Sequence, residues 1–161
     1  MKILYDHQIF TNQQYGGISR YFFELIKRFD NNENSCEVAT IFSNNAYYNK
    51  DFNSEIKNFL PNINIRGKGR VTRLFNQQFS ASKIDKGNYD ILHPTYYDDY
   101  FIDKIKSKPF VVTFYDMIHE KLSNKFIDLK LDSKTFDFKK KLLEHSAKVI
   151  AISETTKNDI I

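Results

Sequence analysis

The 161-residue sequence predicts an α/β fold in which a mostly parallel sheet carries helices on both faces. Short runs of β-branched and apolar residues alternate with segments whose apolar residues recur at helical spacing. The runs Val38–Phe42 and Phe110–Phe114 are almost continuously apolar, as expected of parallel strands buried on both faces. Because no fixed-period repeat and no Pro/Ser-rich linker interrupts this pattern, we expect a single domain over residues 1–161.

The elements are predicted in a strand–helix order. Strands are predicted at Lys2–Asp6, Cys36–Phe42, Ile63–Arg66, Tyr89–His93, Phe110–Tyr115 and Lys148–Ile152. Helices are predicted at Ile18–Asp30, Asp51–Leu60, Val71–Ile84 and Ser133–Ala147, with a last helix that begins at Ser153. The third of these helices rests on the spacing of Leu74, Phe75, Phe79 and Ile84.

Right-handed crossovers between such strands favour a doubly wound, Rossmann-like sheet of strand order 3-2-1-4-5-6. Ligands of these sheets bind beyond the carboxyl ends of the strands. The segments to inspect are therefore Asp6–Gly17, His93–Asp99 and Asp116–Glu120.

Composition excludes several classes of protein. With 41% hydrophobic and 16% aromatic residues, the chain has too much apolar surface to be disordered throughout. Its longest apolar stretches are far shorter than a membrane-spanning helix requires. A single cysteine, Cys36, excludes a disulfide framework and a cysteine-based metal site. Asp6 interrupts the first apolar run too early for a signal peptide, so we expect a cytoplasmic protein.

Two glycines stand between the first predicted strand and the first helix. Gly16 and Gly17 lie in the segment Gln13–Arg20, where backbone N–H groups at a helix N-terminus could approach a phosphate. The alternative is a flexible turn into a helix that Ser19 or Gly17 caps. The segment is neither a dinucleotide-binding fingerprint nor a phosphate-binding P-loop.

Three ionisable side chains follow the fifth predicted strand. Asp116, His119 and Glu120 at a carboxyl end suit proton transfer or hydrogen bonds to a sugar hydroxyl. The alternative is a polar loop in which Asp116 caps the next turn. We expect no metal site, because His93 and His119 are the only candidate histidine ligands near this edge and no ligand spacing recurs.

Tyrosines and basic residues form two further segments. Tyr96 and Tyr97, in the loop after the fourth strand, could stack on a sugar ring or simply cover the loop. The basic residues Arg66, Lys68, Arg70 and Arg73 could bind acidic lipid headgroups, a phosphorylated acceptor or nucleic acid, or form a solvated loop. The run Lys139-Lys140-Lys141 is interpreted as a solvated helix face.

Together these segments resemble the N-terminal half of GT-B glycosyltransferases of family 4, the large retaining group. The resemblance lies in the order and spacing of four segments: ILYDHQIFTNQQYGGISRYFFEL, DILHPTYYDDYF, PFVVTFYDMIHEKL and AKVIAISETTKNDII. It implies two Rossmann-like domains that face each other across a cleft. Residues 1–161 are then the acceptor-binding domain, the nucleotide-sugar domain lies outside this sequence, and these residues alone are expected to be inactive.

The resemblance also implies partners and roles. The donor would be a nucleotide sugar, used without a metal or other cofactor, and the acceptor a glycan or lipid-linked molecule of bacterial surface polysaccharide or lipopolysaccharide synthesis. Gly16 and Gly17 match the loop that approaches the donor diphosphate. Many members have a His directly before the Asp of the catalytic loop, but here that position is Tyr115. His119 lies four residues further along the same loop, so we expect it to contact donor sugar or acceptor. Asp116 is expected to orient the loop.

The remaining candidate residues are assigned to the cleft and to the membrane. Arg20, Tyr96, Tyr97, Tyr115 and Glu120 are expected in the cleft or on the acceptor side, with structural pairing as the alternative for Arg20. The basic residues are expected to face the inner surface of the plasma membrane or an acceptor phosphate, and Ser153 is expected to be a helix cap. The alternatives are a stand-alone Rossmann-like binding or regulatory module without catalysis and, through the basic residues, a nucleic-acid binder; we expect no nucleic-acid partner.

Overall fold

The structure, a computed structural model, describes residues 1–48, 66–117 and 133–161. Its strands are β1 (Lys2–Tyr5), β2 (Ser35–Val38), β3 (Ile91–His93), β4 (Val111–Phe114) and β5 (Lys148–Ala151). Its helices are α1 (Gln8–Asn12), α2 (Gly17–Phe29), α3 (Lys68–Lys86), α4 (Ser133–His145) and α5 (Glu154–Ile160). The predicted helix at 51–60 and residues 63–65 of the predicted third strand lie outside the described residues, and Arg66 is in a turn.

The described strands are parallel. β2, β1 and β3 pair in that order, and β4 pairs with β5. A parallel bridge between Leu92 and Phe110 joins the two groups, with the Leu92 amide donating to the Pro109 carbonyl over 3.1 Å. The described strands therefore lie in the order β2-β1-β3-β4-β5. This is the predicted order 3-2-1-4-5-6 once the predicted third strand, Ile63–Arg66, is left out.

Both faces of the sheet are covered at its central strand β1. Leu4 of β1 packs in one buried cluster with Ile84 of α3 and Leu142 of α4. Its neighbours Ile3 and Tyr5 pack in a second cluster, together with residues of α1 and α2. Because successive side chains of a strand point to opposite faces, one strand contributes to both clusters. This arrangement confirms the predicted doubly wound, Rossmann-like α/β fold.

The first half of helix α3 is turned away from the face that its apolar spacing suggested, although Ile84 in the last turn is buried as that spacing predicts. Leu74 and Phe75 are exposed, whereas Asn76 is fully buried. Asn76 Oδ1 accepts hydrogen bonds from the amides of Ile41 and Phe42 at 3.1 and 3.0 Å, and its Nδ2 donates to the Phe42 carbonyl. The backbone after β2 is thus bound by a side chain of α3, and β2 ends at Val38 rather than at the predicted Phe42.

The other boundaries agree with prediction to within a few residues, with one omission. Sequence patterning missed α1, whose five residues are too few to show a helical period, although Ile9 and Phe10 are buried. Ser153 caps α5 as expected, because its Oγ accepts from the Thr156 amide at 3.0 Å. Among the described residues, no helix combines the length and the hydropathy needed to cross a membrane.

Candidate functional site: a groove at the carboxyl edge of the sheet

Asp6 ties the loops after β1 and β3 together. It follows β1 directly and is fully buried. Its Oδ1 accepts from the amide and hydroxyl of Thr95 at 2.8 and 2.6 Å, and its Oδ2 accepts from Gln8 Nε2 at 2.6 Å. Thr95 Oγ1 in turn accepts from the Ile9 amide, the second residue of α1. One buried carboxyl group therefore fixes two neighbouring loops at the carboxyl edge of the sheet.

Gln8 and Asp98 extend this connection toward solvent. Gln8 Nε2 donates to the Asp98 carbonyl and Gln8 Oε1 accepts from the Asp98 amide, both at 2.9 Å. The Asp98 side chain forms an ion pair with Arg73 of α3 at 2.6 Å. The predicted basic residues are therefore divided: Arg73 turns to this edge, while Arg66 and Arg70 are exposed around the start of α3.

A groove of about 430 Å³ opens beside this ion pair. It is lined by residues of α1, α3, α4 and the loop after β3: Gln8, Asn12, Arg73, Tyr96, Tyr97, Asp98, Thr135 and Phe138. Aromatic rings and a few fixed polar groups in one concave surface are the usual composition of a small-molecule site. The structure thus brings together three predicted site residues, Tyr96, Tyr97 and Arg73.

The tyrosines at this edge hold its loops in place. Tyr97 OH accepts from the Tyr115 amide at 3.0 Å, and Tyr115 OH donates to the Thr95 carbonyl at 3.3 Å. Burial raises the pKa of Tyr115 well above its ordinary value. Tyr96 is the more exposed of the pair at the groove, because Tyr97 packs its ring 5.4 Å from that of Phe114. Tyr97 and Tyr115 therefore contribute mainly to the shape of the groove.

Lys139 is buried at the end of β4, which corrects the interpretation of the lysine run as a solvated face. Its side chain is 2% exposed, and Nζ donates to the Asp116 carbonyl at 2.9 Å and lies 3.7 Å from Asp116 Oδ1. Nζ also lies 4.9 Å from the centre of the Tyr97 ring, a cation–π distance. Lys141 pairs with Asp99 at 2.6 Å, and only Lys140 of the three is exposed.

The glycine loop leads into α2, where a side chain already binds one backbone amide. Gln13 Oε1 accepts from the Ser19 amide at 3.3 Å. A Cβ atom on Gly16 would overlap the Gln13 carboxamide, whereas one on Gly17 would meet open space. A diphosphate at this helix N-terminus would thus share it with Gln13. Arg20 is exposed at the end of the first turn of α2.

Helix α2 also adjoins the end of β4. The ring of Tyr21, on α2, stands edge-on to that of Tyr115 at 6.4 Å. The predicted catalytic residue Asp116 is half-buried beside it, whereas His119 and Glu120 lie outside the described residues. Within 1–48, 66–117 and 133–161, no cluster of three or more His, Cys, Asp or Glu side chains could hold a metal ion.

Comparison with known proteins identifies the family. The model of the family described as Glycosyltransferase Family 4 matches residues 15–161, which is most of the chain. The chain belongs to glycosyltransferase family 4. Searches of curated proteins and of solved structures found no significant match. Family membership gives the groove a general context: a glycosyltransferase-type domain binds a sugar donor and an acceptor.

The glycosyltransferase match begins at Tyr15, so it includes the glycine loop but leaves β1 and α1 outside. The sequence pattern assigned no individual role to Gln8 or Asn12, and Lys139 was interpreted as part of a solvated helix face. One signal could have found Lys139, because it precedes Leu142 by three residues and so shares the buried face of α4. For Gln8 and Asn12 the only signal was their position after β1, at the edge where ligands of such sheets bind.

The two glycines of the glycosyltransferase loop are expected to respond differently to alanine. Gly16→Ala should displace Gln13 from the Ser19 amide and lower the free energy of unfolding by about 1 kcal/mol, the usual net value of one hydrogen bond. Gly17→Ala is the matched control and should change it by less than about 0.5 kcal/mol. Urea unfolding followed by circular dichroism measures both; equal losses would contradict the assigned role of Gln13.

Proposed function

We propose that residues 1–161 form the acceptor-binding half of a retaining glycosyltransferase. It would transfer a sugar from a nucleotide-sugar donor to a glycan or lipid-linked acceptor in bacterial surface polysaccharide synthesis, at the cytoplasmic side of the membrane. A nucleotide-sugar-binding domain would complete the enzyme, and these residues alone would be inactive. The groove beside the Arg73–Asp98 ion pair is the observation that carries this proposal.

The groove offers the groups that a carbohydrate requires. Tyr96 and Phe138 supply aromatic surface, against which the apolar face of a sugar ring can pack. Asn12 is exposed, and its carboxamide forms no hydrogen bond with any described residue. Arg73 uses one terminal nitrogen on Asp98, so further guanidinium N–H groups remain for acceptor hydroxyl or phosphate oxygens. Since Asp98 is itself held by Gln8, the guanidinium group of Arg73 is positioned before the acceptor binds.

The proposed chemistry is a substitution at the anomeric carbon of the donor. The bond from this carbon to the diphosphate breaks while a bond to the acceptor oxygen forms on the same face. The acceptor's proton passes to the departing phosphate oxygen. No metal is required, because backbone N–H groups near Gly16 and Gly17 and basic groups of the donor domain would stabilise the leaving charge.

Two side chains are proposed to act where the sugar is transferred. His119 would contact the donor sugar or the acceptor, and Asp116 would orient the loop that carries it. Lys139 supports this role of Asp116, because it binds the Asp116 carbonyl from inside the protein.

Glycan binding tests the proposal. The fluorescently labelled chain is applied to an array of bacterial surface glycans, together with Asn12→Ala, Arg73→Gln and the control Lys104→Ala, an exposed residue outside the groove. We expect the wild type and the control to retain the same glycans. Asn12→Ala should bind about fivefold more weakly and Arg73→Gln at least about tenfold more weakly, since hydrogen bonds from charged groups are the stronger ones. Glycan binding that survives both groove variants, or no glycan binding at all, would contradict it.

A further inference from the structure

The charges of the groove cancel among the described residues that line it. Its two charged side chains are Arg73 and Asp98, and Arg73 Nη2 lies 2.6 Å from Asp98 Oδ2. The other lining residues are neutral: Gln8, Asn12, Tyr96, Tyr97, Thr135 and Phe138. Two lysines of α4 are also paired with carboxylates: Lys141 with Asp99 at 2.6 Å and Lys139 with Asp116 at 3.7 Å. The described part of the groove therefore offers a ligand no net charge.

The Asp98 carboxylate is held in place, so it stays beside Arg73 when a ligand binds. Its Oδ1 accepts from the Tyr100 amide at 3.2 Å, while its Oδ2 accepts from Arg73. The backbone N–H and C=O of Asp98 both bind the Gln8 side chain at 2.9 Å. The side chain of Asp98 is 22% exposed, against 49% for that of Arg73. A ligand that reaches the exposed edge of the guanidinium group therefore also meets this carboxylate.

This arrangement disfavours an anionic group on the ligand. A carboxylate or phosphate that binds Arg73 must also approach the Asp98 carboxylate, and like charges placed side by side are a common way for a site to reject a partner. To escape this repulsion the ligand would have to displace Asp98 from Arg73, which the hydrogen bonds from Tyr100 and Gln8 oppose. Of the two acceptor groups that Arg73 could bind, phosphate is therefore the less suitable.

A sugar hydroxyl group suits the same ion pair, because it both donates and accepts hydrogen bonds. Arg73 has further N–H donors beyond the one that binds Asp98. Each Asp98 oxygen accepts one hydrogen bond from a described residue, and a carboxylate oxygen has room for a second. Neighbouring hydroxyl groups of one sugar ring can thus bind both side chains at once, one accepting from Arg73 and the next donating to Asp98.

We propose that Asp98 is a specificity-determining residue of the groove. By neutralising Arg73, it makes the groove select an uncharged sugar over a sugar that bears a carboxylate or a phosphate. This inference rests on the proposed function, because it names the class of acceptor that the same groove binds. It depends on the charge of one side chain, so a substitution that removes the charge and keeps the size of that side chain tests it.

Selectivity between matched glycans tests the proposal. An array carries neutral oligosaccharides beside their uronic-acid counterparts, in which a CH₂OH group is replaced by a carboxylate and the ring hydroxyls remain. The 161-residue chain is applied at several salt concentrations, together with Asp98→Asn and the control Asp103→Asn. Asparagine keeps the backbone contacts to Gln8 but removes the charge, and Asp103 is an exposed aspartate outside the groove. Circular dichroism verifies that each variant is folded.

We expect the wild type and Asp103→Asn to bind the neutral glycans at least about tenfold more tightly than the uronic-acid glycans. In Asp98→Asn this ratio should fall at least about tenfold, because Arg73 then lacks its anionic partner. The binding of uronic-acid glycans that this variant gains should weaken with salt.

Inorganic phosphate provides a readout that needs no glycan. The Arg73 Nε–H signal of the ¹⁵N-labelled chain is followed by NMR while phosphate is added. Asp98→Asn should bind phosphate at least about tenfold more tightly than the wild type does. Equal affinities would contradict the neutralisation of Arg73 by Asp98.

The outcomes separate this inference from the proposed function. A wild type that binds uronic-acid glycans as tightly as neutral ones, or an unchanged ratio in Asp98→Asn, overturns the inference while the proposed function stands. The wild-type ratio alone decides the question if Asp98→Asn does not fold. Absence of all glycan binding would overturn the proposed function, and the acceptor class with it.

Discussion

Replacing Asp6 by alanine should lower the free energy of unfolding by about 4 kcal/mol. The change removes the acceptor of the Thr95 amide and hydroxyl and of Gln8 Nε2. It leaves buried donors unpaired at about 1–3 kcal/mol each and adds a small cavity. Asp6→Asn keeps the volume and one oxygen but presents an amide to groups that donate, so we expect about half of that loss. Urea unfolding monitored by circular dichroism measures both.

Replacing Asp6 should also weaken glycan binding in the groove. Asp6 positions Gln8, and Gln8 binds both backbone groups of Asp98. In the folded Asp6→Asn protein, measured well below its unfolding midpoint, glycan affinity should fall along with stability. The control is Asp103→Ala, an exposed aspartate that should change stability by less than about 0.5 kcal/mol. An Asp6→Ala protein as stable as this control would refute the assignment of Asp6 as the link between the two loops.

Acidification from pH 7 to pH 4 should destabilise the protein through His93. This residue ends β3 and is buried, with Nε2 2.8 Å from Thr113 Oγ1. Burial lowers the pKa of His93 from 6.5 to about 4. Between these values the unfolded chain binds a proton that the folded protein does not, so the free energy of unfolding falls as the pH falls. The pKa difference corresponds to about 3 kcal/mol over the whole window.

Urea unfolding at several pH values tests this effect. In His93→Gln, whose amide can still bond to Thr113, the pH dependence between pH 7 and 5 should be clearly weaker than in the wild type. Burial also lowers the pKa of His7, so His7→Gln is measured as a second variant to separate the two contributions. NMR titration of the His93 ring should give a pKa near 4. A ring that titrates near pH 6.5, or an unchanged slope in His93→Gln, would contradict this account.

Sequence patterning predicted the sheet well because its central strands β1, β3 and β4 are largely buried, whereas the outer strands β2 and β5 are more exposed. The continuous apolar run at Phe110–Phe114 needs no knowledge of its neighbours to be placed in the interior. Alternation of strand and helix then constrains the order of the strands, since parallel strands require right-handed crossovers. The same reasoning located the edge at which the groove lies and selected Tyr96 and Tyr97. Arg73 was predicted separately, as one of the basic residues that face the membrane or an acceptor phosphate.

The inner face of α3 and the burial of Lys139 depend on contacts with residues distant in sequence, which the sequence pattern does not show. The apolar spacing of α3 was right for Ile84 but wrong for Leu74 and Phe75. Asn76 turns this part of the helix because it binds a loop more than thirty residues away, a long-range contact without a local signal. Lys139 looked like one of three surface lysines, yet the Asp116 carbonyl and the Tyr97 ring give its ammonium group partners inside the protein. Buried polar groups of this kind depend on tertiary partners, which periodicity does not encode.

Amide chemical-shift mapping by NMR tests the central claim, that the groove binds the acceptor. The ¹⁵N-labelled chain is titrated with the glycan that the array retains best. We predict that the largest shifts fall on residues around the groove, among them Gln8, Asn12, Arg73, Asp98 and Phe138, with little change on the outer face of α3. Shifts confined to the glycine loop at Gly16 and Gly17, or spread over surfaces away from the groove, would contradict the assignment of this groove to the acceptor.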